Sequence, residues 1–324
     1  MRYAQNSQTP GLLLDFLDWF DRSETDANTA KWVLVDGEIL GRELIQTVVK
    51  TFGKSHVRNV FSESDFSVYG WRAPHLIRIA SDKNIKNCLI RLIRVAGDFP
   101  AVARLEGCGD YRNIRRLLLW LAHARTTDGG DLYCRFADTR ITPCLLQILA
   151  RDQKEILQKY IANWQIIGRE GTIETVFSRS EALRAELDPL ELPDSIDISD
   201  FQFSKMMEFS EGDEIFLMLC AASPELVPAC NLGSFHLLLA GLTHAARARG
   251  IELTSEIYQF CVIALTTRHD FFMNTILAES WREIRARSRS FTELASLWTD
   301  ETWDALMHEP LTDSTLVSET RATS

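Results

Sequence analysis

A loop that wraps phosphate oxygens in backbone N–H groups needs the pattern G-x-x-x-x-G-K-S/T, and Gly53-Lys54-Ser55 supplies only its second half. Val48 stands where the first glycine belongs. The segment also follows a run with helical spacing, so Gly53 reads as an ordinary helix stop. Gly107-Cys108-Gly109 is better placed, between an expected strand and an expected helix, as dinucleotide binding requires. Arg112 occupies the third glycine's position, where a large side chain obstructs close helix-to-strand packing, although an arginine near a helix N-terminus attracts anions. Hydrolytic chemistry is less well served, with neither H-E-x-x-H nor G-x-S-x-G present. His236 and His244 lie eight residues apart without a carboxylate at ligand spacing, and Asp213-Glu214 sits in an acidic, solvated stretch. No catalytic residue, cofactor or metal ligand is therefore nominated. The remaining constellation is Arg135, Asp138 and Arg140, three charges around one corner and suited to an ion-pair brace.

That corner has to be held by its neighbours. Asp128-Gly129-Gly130 provides the positive-φ freedom of a tight turn, and Leu132, Tyr133, Cys134 and Phe136 favour a pleated, half-buried surface, which predicts a strand over 132–136. Thr142 is placed to cap the next helix, with Pro143 at its first position, where the missing N–H does no harm. Upstream, spacing predicts an amphipathic helix over 12–20, a strand over 32–35 and a helix over 42–52. A strand follows over 75–79, after Pro74, then a helix carrying Ile85, Leu89, Leu92 and Ile93. A strand over 101–106 precedes a helix capped by Asp110; another helix over 154–162 and a strand over 172–177 complete the set. Alternation of this kind predicts an α/β lobe, a mixed, at least partly parallel sheet flanked by helices.

Between 181 and 200 the composition shifts. Pro189 and Pro193 break regular structure, and seven Asp and Glu residues meet only Arg184. Beyond it every periodic stretch is helical, including the one bearing Trp281 and those around Phe291, Trp298 and Trp303, aromatics read as core. The expected organisation is an α/β domain over 1–180, an acidic linker over 181–200, an all-helical lobe over 201–309 and a polar, frayed tail over 310–324.

The corner stands in sequence as Cys134-Arg135-Phe136-Ala137-Asp138-Thr139-Arg140-Ile141. It resembles the FRFYDPRVL signature of the type VI secretion effector chaperones, or adaptors, catalogued as domain of unknown function 4123. The Arg, Phe, Asp and second Arg are kept, while Ala137 and Thr139 replace the signature's tyrosine and proline. Val33-Leu34-Val35-Asp36-Gly37 is similar to that family's opening strand, and Ala73-Pro74-His75-Leu76 to its Gly-Pro-x-Leu segment. The resemblance covers about residues 30 to 180, with a fainter likeness of the helical tail to about residue 308. It implies a non-catalytic adaptor that holds a toxic effector in the bacterial cytoplasm and helps load it onto the VgrG spike. Arg135, Asp138 and Arg140 are then the nominated partner-binding corner.

Bulk properties fit a binding role. The chain has 324 residues, 46% of them hydrophobic and 25% charged, with a formal net charge of -10. Such acidity argues against a nucleic-acid footprint, which needs lysine and arginine gathered on one face. One local exception is the arginine set Arg91, Arg94, Arg112, Arg115 and Arg116. The N-terminus has no apolar signal-like core, and no run approaches the roughly 20 apolar residues that span a bilayer, which predicts a cytoplasmic protein with no membrane partner. Seven cysteines without a C-x-x-C pair read as reduced structural thiols. The rival reading, from another class, is a nucleotide- or phosphate-binding α/β enzyme using the turn from Gly107 to Arg112.

Overall fold

The computed structural model describes residues 3–22, 29–80, 82–179 and 192–308. The expected tail lies outside them, and the expected acidic linker is described only from residue 192. The chain divides into two compact units, Met1–Ser210 with Ala229–Ser234, and Glu211–Pro228 with Phe235–Ser324.

In the first unit, helix α1 (Leu12–Asp21) precedes strand β1 (Thr29–Val35), which ends at Asp36, the N-cap of helix α2 (Gly37–Phe52). Strand β2 (Val57–Asn59) and a 3-10 segment (Asp65–Arg72) lead to strand β3 (His75–Ile79). Helix α3 (Lys83–Ala96), strand β4 (Val102–Cys108) and helix α4 (Tyr111–Ala122) follow. Asp82 and Asp110 accept backbone N–H groups at the starts of α3 and α4, as short polar side chains do at helix N-termini. Strands β5 (His123–Thr126) and β6 (Asp131–Tyr133), helices α5 (Thr142–Ile148) and α6 (Arg151–Tyr160), and strands β7 (Ile161–Ile167), β8 (Ile173–Ser178) and β9 (Ile196–Ile198) complete the sheets.

Six strands form one sheet in the order β2-β3-β1-β4-β7-β8, with every neighbouring pair antiparallel. Among the described residues parallel pairing is confined to β5 and β9, in a three-stranded sheet ordered β6-β5-β9. Both lobes anticipated from sequence are present, but strand direction is more antiparallel than helix-strand alternation suggests. The reason is an interleaved strand: β3 and β4, joined through α3, run parallel to each other, and β1 lies between them, antiparallel to both.

Alternation along the strands divides the core in two. One face of the large sheet presents Trp32, Leu34, Leu76, Leu105 and Trp164 to α4, α5 and α6. The opposite face presents Val33, Val35, Ile77, Ile79 and Val102 to α1, α2 and α3. The arginines of α3 and α4 therefore lie on opposite sides of the sheet rather than in one basic band. On the α1 side two cations are buried: Lys31 Nζ donates to the carbonyls of Trp19 (2.6 Å), Phe20 (3.1 Å) and Arg22, and Arg104 donates to Gln165 Oε1 (2.6 Å) and to the carbonyl of Asp15 (2.8 Å). Burial pulls the Arg104 guanidinium down to about 10.

The second unit is helical, built from the latter part of helix α7 (Asp200–Ala222), most of helix α8 (Leu232–Ala248), and helices α9 (Thr254–Thr266), α10 (Ala278–Arg285), α11 (Phe291–Ser296) and α12 (Asp300–His308). Its core is aromatic. Phe260 lies 4.9 to 6.3 Å from Phe271, Phe272, Trp281 and Phe291, and Trp298 bridges Phe291 to Trp303. Of the aromatics read as core from sequence, Trp281 and Phe291 are buried, while Trp298 and Trp303 are half-buried. Among the described residues no helix is long and apolar enough to cross a membrane.

Candidate functional site: a buried charged corner and the groove beside its strand

The three sequence segments quoted above are joined by close contacts. Gly37 leaves no room for a side chain, because a Cβ there would lie 2.2 Å from the Trp71 carbonyl oxygen and 2.4 Å from that of Ala73. The Asp-Gly end of β1 is thereby seated on the Ala73-Pro74-His75-Leu76 segment. Asp36 in turn accepts from Arg135 Nη2 at 3.2 Å, which ties the strand end to the charged corner. Asp36 was visible in the motif without being singled out as a partner for Arg135; nothing in linear spacing pairs residues so far apart.

Asp138 is the centre of the corner and is fully buried. Its carboxylate accepts from Arg140 Nε (3.0 Å) and Nη2 (2.7 Å) in the two-pronged geometry that suits a planar guanidinium, and Arg135 Nη2 stands 3.8 Å away. The Asp138 carbonyl accepts from the backbone N–H groups of Ile141 and Thr142. Thr142, expected as a cap, is instead the first residue of α5, and its hydroxyl donates back to the carbonyls of Phe136 and Asp138, both at 2.9 Å. Thr139 N donates to Pro100 O and Asp36 N to Ala101 O, so the loop before β4 is held from both sides. Arg140 also lies 4.9 Å from the ring of Tyr3. The chain is thus Asp36, Arg135, Asp138, Arg140 and Tyr3, alternating in charge and capped by an aromatic ring.

Electrostatics follow from this burial. Desolvation raises the Asp36 carboxyl above its ordinary value, against the opposing pull of Arg135. The Arg135 guanidinium is held higher than usual, with burial lowering it and Asp36 and Asp138 more than compensating. Burial lowers His75, in the second segment. Asp36, Arg135 and Asp138 are braced against one another. Among the described residues no group of three or more His, Cys, Asp or Glu side chains is arranged to hold a metal ion.

Next to the corner, Tyr133 of β6 joins an aromatic stack, 5.1 Å from Tyr69, 5.6 Å from Phe61 and 5.8 Å from Phe66. Phe66 continues to His123 at 5.8 Å. Beyond this stack opens a groove of about 530 Å³, lined in part by Phe66, Arg116, Trp120, His123, Arg125 and Asp194. Its lining sets the rings of Phe66 and Trp120 beside side chains of both signs of charge. The stack was missed from sequence because its rings come from separate segments brought together only by the fold.

The turn from Gly107 to Arg112 is occupied by the fold itself. A Cβ on Gly107 would lie 2.5 Å from the Tyr160 carbonyl, so this glycine serves strand packing at the irregularity between β4 and β7. Asp110 Oδ1 accepts from Arg112 N, placing a carboxylate where an anionic ligand would bind. Gly53, with φ of 83°, ends α2 as its C-cap. His236, in the helical unit, has Asp213 Oδ2 3.8 Å from its Nε2, and Gly212 packs beside the ring.

These features define a class: an antiparallel-sheet α/β domain whose signature residues form a buried electrostatic joint rather than a pocket of reactive groups. Residues 31–155 match the family model described as Domain of unknown function (DUF4123). The matched stretch contains all three segments of the joint. No curated protein and no solved structure matches the chain.

Proposed function

We propose that this protein is an adaptor: a chaperone that binds a type VI secretion effector before export and helps load it onto the VgrG spike, without catalysing a reaction. The observation that carries the reading is that the segments similar to the adaptor signature lie within the stretch matching the DUF4123 model and meet at one joint. Asp36, Arg135, Asp138 and Arg140 set the orientation of β1, β6 and α5 in this reading, with Arg135 the most exposed of them and the one available to touch a partner. The acidity of the chain suits a partner with cationic segments.

The test is affinity purification of the tagged chain from its native cell, with bound proteins identified by mass. Recovery of an effector and of VgrG, both lost in an Arg135→Glu variant that still melts cooperatively, supports the adaptor. Recovery of neither, together with nucleotide turnover abolished by Arg112→Ala, replaces it with the enzymatic alternative.

A further inference from the structure

One face of the large sheet gathers cations that the sequence keeps apart. Arg58 of β2 stands opposite Leu76, and Arg78 lies two residues further along β3, opposite Trp32 of β1. Side chains two apart on a strand share a face, so the two arginines are diagonal neighbours on the side that packs α4, about 7 to 8 Å apart at the backbone. The Arg58 guanidinium is 5.8 Å from the Tyr111 ring centre and that of Arg78 is 5.6 Å from the Trp32 ring, while the two rings are 6.4 Å apart. Arg115, one turn beyond Tyr111 on α4, is held by the carbonyls of Val60 (3.0 Å) and Ser62. Burial raises the Tyr111 phenol, and the charges of Arg115 and Arg58 pull against it, which puts both within reach of one ring. Arg112, beside Tyr111 in sequence, is exposed.

These charges have few counter-ions. Among the described residues the side chains of Arg58, Arg78 and Arg112 make no ion pair and no hydrogen bond, whereas Arg72, Arg151 and Arg282 sit against Glu38, Glu155 and Glu279. Two carboxylates are near: Glu63, whose charge acts on Tyr111, and Asp110, whose Oδ1 accepts from Arg112 N at the start of α4. Neither forms an ion pair with these guanidinium groups. Like charges placed as neighbours repel, and an arriving anion relieves the repulsion. A guanidinium over a ring keeps its in-plane N–H donors, whose fork matches the two oxygens of a carboxylate. The anion that suits the face best is a short acidic stretch of protein. Charges beyond about 10 Å are largely screened at moderate ionic strength, so a short stretch meets the arginines alone. A nucleic acid or an anionic bilayer is extended and meets the rest of a chain whose net charge is -10 as well.

We infer that Arg58, Arg78 and Arg112, backed by the rings of Trp32 and Tyr111, are the surface on which this chain grips an acidic segment of another protein. The inference rests on the adaptor reading and adds to it a partner segment opposite in charge to the one that the chain's overall acidity suits.

The test uses the full chain and a short fluorescein-labelled peptide in which aspartates and glutamates alternate with serines. A twin with lysines for the acidic residues serves as comparison. Fluorescence anisotropy should show saturable binding of the acidic peptide that weakens with salt. Arg58→Gln and Arg78→Gln, at exposed positions, should each weaken it about tenfold, and the Arg58→Glu, Arg78→Glu double variant should pass the preference to the lysine twin. Arg94→Gln makes the same change in net charge at an exposed position of α3, on the opposite face of the sheet, and should leave binding unchanged. Equal binding of the lysine twin to the unaltered chain overturns the inference, as does equal weakening by Arg94→Gln or unaltered affinity in the Arg58 and Arg78 variants. Binding of labelled oligothymidylate at least as tight, lost through Arg58→Gln, makes the occupant a nucleic acid and also overturns it; the same result with phosphatidylglycerol vesicles makes it a membrane. If the acidic peptide fails while native purification still recovers effector and VgrG, the surface is wrong and the adaptor reading stands.

Discussion

Asp138 illustrates how a single carboxylate can organise a corner. With both oxygens engaged by Arg140 and Arg135 nearby, neutralising it takes the buried carboxylate away from the Arg140 guanidinium, while Arg135 keeps Asp36. Asp138→Asn should lower unfolding free energy by about 3 kcal/mol, read as a shift of the urea midpoint at unchanged slope. An unchanged midpoint would mean the corner is held by its backbone bonds alone. His75 gives the molecule a pH dependence of definite sign. Burial holds its folded value below the ordinary 6.5, so the unfolded chain takes up a proton first as pH falls. The stability it contributes is complete above pH 6.5 and is lost as pH drops through the window beneath. Melting temperature should therefore fall less between pH 7.5 and 5.5 for His75→Gln than for the unaltered chain. These residue-scale features were partly legible in sequence: the charges of the corner and the Asp-Gly strand end were visible. Their pairing was not, because a contact between residues 36 and 135 leaves no local trace.

At the scale of the element, local chemistry marked what it governs. Asp110 was read as a cap and is one, the strand His75–Ile79 emerged with the bounds expected, and the first helix is docked as its apolar spacing suggested. The strands that escaped notice are β2, β5, β7 and β9. Three are only three or four residues long, too short for alternation to register; the fourth, Ile161–Ile167, follows its helix without a breaker, so its start was absorbed into the helical run. Sheet direction escaped for a different reason, since it depends on which strands end up adjacent. The docking of α1 adds a feature that hydrophobic spacing cannot reveal. Lys31, inside an otherwise apolar strand, collects the carbonyls at the helix's C-terminal end, where positive charge is favoured. Lys31→Met should destabilise the first unit by about 2 kcal/mol despite its greater hydrophobicity, because buried carbonyls lose their donor. Chemical denaturation checks this, and a more stable variant would assign the anchoring of α1 to apolar contact alone.

At the scale of the whole molecule, the unit boundary is not a single point along the chain. Residues Ala229–Ser234 belong with the first unit although helices of the second flank them in sequence. Asn6 is the clasp: its Nδ2 donates to Glu170 Oε2 (2.6 Å), its Oδ1 accepts from Gly233 N (3.0 Å), and its backbone N donates to Arg169 O (2.7 Å). Asn6→Ala should speed hydrogen exchange in the turn between β7 and β8 and at residues 229–234, while amides around Phe260 keep their protection. Exchange that rises uniformly would indicate global destabilisation instead. Composition announced two lobes and a change of periodicity near residue 200, but a short excursion of chain back to the first unit has no compositional mark.

The seven cysteine thiols of this chain are unequally accessible. Burial pushes the Cys134 thiol up to about 11 and those of Cys144 and Cys261 up to about 12, while Cys230 is the one exposed cysteine. A maleimide dye added at neutral pH should consequently attach fastest at Cys230, and peptide mapping of the first-labelled product would verify it. Because Cys230 lies in the returning loop beside Gly233, a fluorophore installed there would give an optical readout of the clasp without any engineered cysteine.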